Sequence, residues 1–186
     1  MGVAEPQGRG RRLNQGGHMQ QEPAGRGDLA FGFLTAVDSP AHGLFGGYLV
    51  VDGLGRPLEF HCTAPVKVSR AQQILYGPTL HGHLHGQQIG GALLAEGKAE
   101  AVVVLTDLES MLHVRPHTSL PVALVQPAAA ATGSGFVVGD SIVSPHATDA
   151  PRALEIEGRL AALAAAVDLR EPFERIRAAL DEAQRH

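Results

Sequence analysis

From Leu29 onward apolar residues recur in two rhythms, at every second position or at every third to fourth, and before that point large ones are nearly absent. Leu29 to Val37 is apolar and partly aromatic or β-branched, which predicts a first strand. Tyr48-Leu49-Val50-Val51 runs into Asp52-Gly53-Leu54-Gly55, and Pro57 to Val66 continues in extended form. Strand, Asp-Gly turn and strand predict a β-hairpin. Ala101 to Leu105 is an unbroken apolar run, the pattern of a strand covered on both faces. Ser119 to Val125 reads as a further strand and Gly135 to Val143 as a last one, with the Ala/Gly stretch 128–135 as a loop.

The helical rhythm begins at Ser69-Arg70-Ala71-Gln72, which has the form of a capping box: hydroxyl and amide each satisfy a backbone N–H of the other end. It predicts a helix from Arg70 that carries Ile74 and Leu75 inward, interrupted at Gly77-Pro78. Leu80 to Ala95 resumes the helical pattern, weakened by Gly82, Gly86, Gly90 and Gly91. Thr106-Asp107-Leu108-Glu109 forms a second capping box and predicts a short helix through Leu112. Asp149-Ala150-Pro151 combines a capping carboxylate with a first-turn proline, a helix start. Ile156, Leu160, Leu163 and Val167, then Phe173, Ile176 and Leu180, follow on one stripe, as two amphipathic helices or one kinked at Pro172.

The sum predicts an α+β fold, with α/β as the alternative. A mostly antiparallel sheet with a β-hairpin is covered by a central broken helix and by a C-terminal amphipathic helix pair over 150–185. Residues 1–28, rich in Gly, Gln, Arg and Glu, cannot bury enough to offset the entropy of ordering. They are expected to be a disordered tail, and 29–186 a single globular domain.

Charge and composition narrow the partners. A net charge of −4 gives no electrostatic reason to expect nucleic acid or an anionic membrane. No apolar run approaches the ~20 residues that span a bilayer. A single cysteine, Cys62, cannot form an internal disulfide and fits a reducing compartment, so a cytoplasmic location is expected.

Histidine is the unusual residue, ten in all. In His81-Gly82-His83-Leu84-His85 a strand would aim all three rings one way, whereas a helix would pair His81 with His85. The helical reading is favoured and gives two ligands. His113 and His117 have ligand-like spacing but are separated by Pro116, and as a loop pair they could complete a zinc site begun by His81 and His85. His81-x-His83 resembles the metal-binding pair of JAMM-type isopeptidases over those two residues. That family's pattern continues with proline and a later Ser-x-x-Asp, while here Leu84 follows and no such pair precedes Thr106, so no function carries over.

Alternation along the predicted strand places Leu58, Phe60 and Cys62 on one face, and Glu59, His61 and Thr63 on the other. Cys62 is therefore expected to be a small buried hydrophobe, and Glu59 to orient His61. The glycines from Gly43 to Gly47 lack the Gly-Lys-Ser/Thr of a phosphate loop. Gly133-Ser134-Gly135 lacks the frame of a nucleophile elbow. No catalytic constellation survives. The function expected is a non-enzymatic protein-interaction or regulatory domain, binding a protein partner or a second copy through the C-terminal helices. The alternative is a zinc-dependent hydrolase using His81, His85, His113 and His117, with Glu109 or Asp107 as base.

Overall fold

In chain order the elements are β1 (Ala30–Ser39), β2 (Gly43–Asp52), β3 (Pro57–Cys62), α1 (Arg70–Tyr76), α2 (Leu80–Gly82), α3 (Ala92–Glu96), β4 (Ala101–Thr106), β5 (Val122–Pro127), β6 (Phe136–Val138), β7 (Ser141–Pro145), α4 (Ala153–Ala164) and α5 (Glu171–Gln184). The computed structural model describes residues 29–130 and 133–185. The tail expected over 1–28 lies outside the described residues. A π-helical stretch, His83–Gly91, joins α2 to α3, and 3₁₀ segments cover Glu109–His117 and Ala147–Arg152.

The seven strands form one mixed sheet in the order β3-β2-β1-β4-β5-β7-β6. β1, β4 and β5 run parallel at its centre, and the pairs outside them are antiparallel. The fold is α+β, as the sequence rhythm predicts. Parallel neighbours need covered crossovers, and the broken helix between β3 and β4 provides one.

Helices cover opposite faces of the sheet. On one, Phe31, Phe33, Val103 and Leu105 pack with Ile156, Leu160, Leu163, Phe173, Ile176 and Leu180 of α4 and α5. On the other, Leu34, Val50, Val104 and Val122 pack with Leu84, Ile89, Leu93, Met111 and Val114. The C-terminal stripe expected to serve a partner is therefore a core face, because both helices spend it on the sheet. Gly46 and Gly47 of β2 let both layers approach: a Cβ on Gly46 would stand 2.0 Å from Ile89 Cγ2, and one on Gly47 2.3 Å from Ile176 Cγ2.

Several local expectations change. The β2–β3 hairpin forms, with Asp52 accepting from the backbone N–H groups of Leu54 and Arg56 at 2.9 Å, but β3 ends at Cys62. Leu58, Phe60 and Cys62 do share a face, yet all three are exposed, because β3 is the sheet's edge. The buried-cysteine expectation is thus corrected. The last strand is a hairpin, β6 and β7, turning at Gly139 with φ +58°.

Thr106 does not cap the helix that follows. Its hydroxyl accepts from Leu108 N at 3.2 Å, and the 3₁₀ segment then runs past Leu112 through Pro116 to His117. Asp149 does not cap either. It is buried, bridged to Arg115 at 2.7 and 3.1 Å, and accepts from Val122 N at 3.0 Å. The cap of that segment is His146, whose Nδ1 accepts from Thr148 N.

Candidate functional site

The glycines that weaken the helical pattern over 80–95 explain how the site is built. A Cβ on Gly86 would meet the His113 backbone at 2.6 Å, and one on Gly90 the Val114 side chain at 2.7 Å. Gly82, Gly86 and Gly90 therefore form a bare stripe against which the 3₁₀ segment 109–117 lies. Helix packing gained there outweighs the propensity cost of about 1 kcal/mol per glycine. His81 and His85 lie beside the β1–β2 turn, and His85 also reaches Ser110 of the 3₁₀ segment.

His81 and His85 share a cleft of about 900 Å³ with Asp38, His42, Lys67 and Gln73, floored by Leu44, Leu84 and Leu108. Their rings meet edge to face, centroids 5.8 Å apart. His85 is buried, and its Nδ1 is 2.5 Å from the Ser110 hydroxyl. Burial, then the neighbouring His81, hold its pKa below the ordinary histidine range, against the opposing pull of Asp38. His42 Nδ1 is 3.4 Å from the Ser39 hydroxyl, and His83 leaves the group to stack on Tyr76, centroids 4.4 Å apart.

His113 and His117 do not join them. His113 lines a separate cavity of about 480 Å³ with Glu109, Ser134 and His146, and His117 lies against Gly91. Successive 3₁₀ turns carry residues four apart to different sides. Among the described residues no three His, Cys, Asp or Glu side chains gather as a metal-binding group. Of the proposed bases, Asp107 instead accepts from Thr35 Oγ1 at 2.6 Å and pairs with Arg177.

The Glu59–His61 pair is in contact, as its alternation predicts. Glu59 also accepts from Lys98 N at 2.8 Å and Ala99 N at 2.7 Å, locking the edge strand to the α3–β4 connection. The His61 bond and those two amides lower its pKa to about 2. Tyr48, buried nearby, has its hydroxyl pushed up to about 12 by burial and by the Glu59 charge.

The second feature is one sequence reasoning missed. The capping box at Ser69 forms in full, with Gln72 N to Ser69 Oγ at 3.1 Å and Ser69 N to Gln72 Oε1 at 2.9 Å. Yet α1 buries none of its residues. Ile74 and Leu75, expected inward, are 65% and 82% exposed, and Tyr76 beside them is exposed as well. The helix sits on the rim of the cleft, where only Gln73 faces in. From Phe60 to Ala95 the chain contains no aspartate or glutamate, while Lys67 and Arg70 precede the exposed row. That absence of acid was legible in the sequence.

No protein-family model matches this chain, and no curated protein is similar to it. Among the described residues no helix is long and apolar enough to cross a membrane.

Proposed function

We propose that this chain is a non-enzymatic interaction domain that docks a protein partner on α1. The observation that carries the reading is the outward row Ile74, Leu75 and Tyr76 on a helix that buries nothing. Burying an isoleucine or leucine stabilises by about 1.5–3 kcal/mol, and a helix this short is marginal on its own. Two such side chains in water, on a helix capped at its start and fixed at Tyr76 by stacking on His83, suit a preformed anchor for another surface. The acid-free segment 60–95, with Lys67 and Arg70 just before the exposed row, favours a partner whose apolar groove has an acidic rim. Gln73 places α1 on the rim of the cleft.

The reading is tested by reconstituting the complex with a partner purified from the same cells. Ile74→Ser together with Leu75→Ser should weaken it about 30-fold or more, as loss of an anchor worth about 2 kcal/mol does. Leu154→Ser, which removes the exposed apolar residue of α4, should leave it unchanged. Equal binding by the α1 variant, or binding of the wild type to anionic vesicles with no protein partner, overturns the reading.

The zinc-hydrolase alternative loses support on two counts. It relied on His113 and His117 completing a site with His81 and His85, and these line different parts of the surface. Its base candidates are also elsewhere, Asp107 in its ion pair and Glu109 at the second cavity.

A further inference from the structure

We propose that β3 is a self-association edge: two copies of this chain pair antiparallel along β3, about a two-fold axis at Phe60, and join their sheets into one. The interface is independent of the docking role of α1. The edge is open where this pairing needs it. β3 is the terminal strand of the sheet, with β2 as its neighbour. Thr63 N donates to Gly46 O at 3.0 Å, in the register that sets His61 opposite Tyr48 and Glu59 opposite Val50. The N–H and C=O of one strand residue point the same way, and successive residues alternate. Those of Glu59 and His61 therefore face β2. Those of Phe60 and Cys62 face out, where no other described residue bonds them. The register shift of the β2–β3 pair falls before Glu59, so 59–62 is regular strand. Lys98 N and Ala99 N, both bonded to the Glu59 carboxylate, hold that stretch in place.

The residues themselves select a second copy and its register. Outward-facing residues must meet outward-facing ones, so a two-fold pairing is centred on a single residue of the strand. Centred on Glu59 it would set two carboxylates directly opposite each other, which is destabilising. Centred on His61 it would set imidazole against imidazole. Centred on Phe60 it sets each Glu59 opposite the second copy's His61, in the pair type where side chains come closest, with Cα atoms about 4.5 Å apart. Glu59 and His61 already bond within one chain, so the four side chains form one alternating acid–imidazole cluster. On the other face Leu58, Phe60 and Cys62, all exposed, meet their counterparts. Phe60 lies over Gly47 beside Leu180 of α5, so the strip they bury continues the core of each copy. An open edge carrying apolar side chains is a template for another strand, and this sequence fits its own.

The test is analytical ultracentrifugation of the full chain over a range of concentrations, with circular dichroism confirming that each variant is folded. The wild type is expected to pass from monomer to dimer as concentration rises. Phe60→Lys, which sets two ammonium groups across the axis, should abolish the dimer. Ile74→Ser with Leu75→Ser should leave it intact, so that this interface and the α1 surface fail separately. Cross-linking reads the register. Residues at position 60 would face each other with Cα atoms about 5.5 Å apart, within reach of a disulfide. The two Cys62 would be offset by four residues, about 13 Å along the strand. Phe60→Cys with Cys62→Ser should therefore form a disulfide-linked dimer on mild oxidation, and the wild type should not. A wild type that is monomeric at every concentration overturns the proposal. So does a dimer retained by folded Phe60→Lys, a dimer lost with the α1 pair, or Cys62 cross-linking as readily as position 60.

Discussion

Gly46 of β2 faces Ile89 of the π-helical stretch so closely that a single added Cβ would stand 2.0 Å from its Cγ2. Side chains cannot overlap to that degree, so this one hydrogen in place of a methyl sets how near the broken helix lies to the sheet. The cleft wall and α1 are carried on that helix, and their placement depends on the same contact.

Gly46→Ala is therefore expected to destabilise the fold by about 1–3 kcal/mol, the cost of overpacking a tight contact. Chemical denaturation of this variant, of Ile89→Ala and of the double variant measures it. The two changes should be strongly non-additive, because truncating Ile89 relieves the clash. Simple additivity would show that the two residues do not meet.

Ile74→Ser and Leu75→Ser should each change stability by no more than about 0.5 kcal/mol, as surface substitutions do. Leu84→Ala, further along the same run in a buried position, should cost about 2–5 kcal/mol. Comparable losses at all three positions would place α1 in the core and remove the docking surface.

Asp149 and Arg115 tie the 3₁₀ segment 109–117 to the start of β5. Asp149→Ala leaves the mostly buried Arg115 guanidinium without its carboxylate and should cost about 3–5 kcal/mol. Thermal or urea unfolding gives the value. A loss under about 1 kcal/mol would mean that the pair is solvated.

Glu59 supplies the pH dependence. Its folded pKa, about 2, lies below the ordinary value of 4.5, so its carboxylate stabilises the fold fully above that ordinary value. The contribution is lost as pH falls from about 4.5 to about 2. Glu59→Gln should therefore be less stable than the wild type near neutral pH, and the gap should narrow on acidification through that window. A gap independent of pH would assign the effect to packing rather than charge.

The elements legible in the sequence were those fixed by contacts close along the chain. The Asp52 turn, the Ser69–Gln72 box and the stripes of α4 and α5 each rest on residues within a few positions of one another. What the sequence could not reveal depends on distant partners. A capping box starts a helix but says nothing of which surface it meets, so the apolar Ile74 and Leu75 read as core. Alternation in β3 separates its two faces correctly, but only the sheet order makes it an edge with Leu58 and Phe60 in water. Asp149 had the local form of a cap, and an arginine 34 residues earlier claimed it instead. Of the candidate site, the His81–His85 pairing follows from helical spacing, while Asp38, His42 and Ser110 come from segments that only the fold brings beside it.

The most direct test of the docking role is a photo-reactive amino acid placed at position 75, irradiated in the cells from which the chain comes, with the same probe at position 154 as control. The account predicts one discrete protein adduct from position 75, absent from position 154, lost on Ile74→Ser, and to a protein whose purified form binds the wild-type chain. Adducts only to lipid, equal labelling from both positions, or no adduct from position 75 would contradict it.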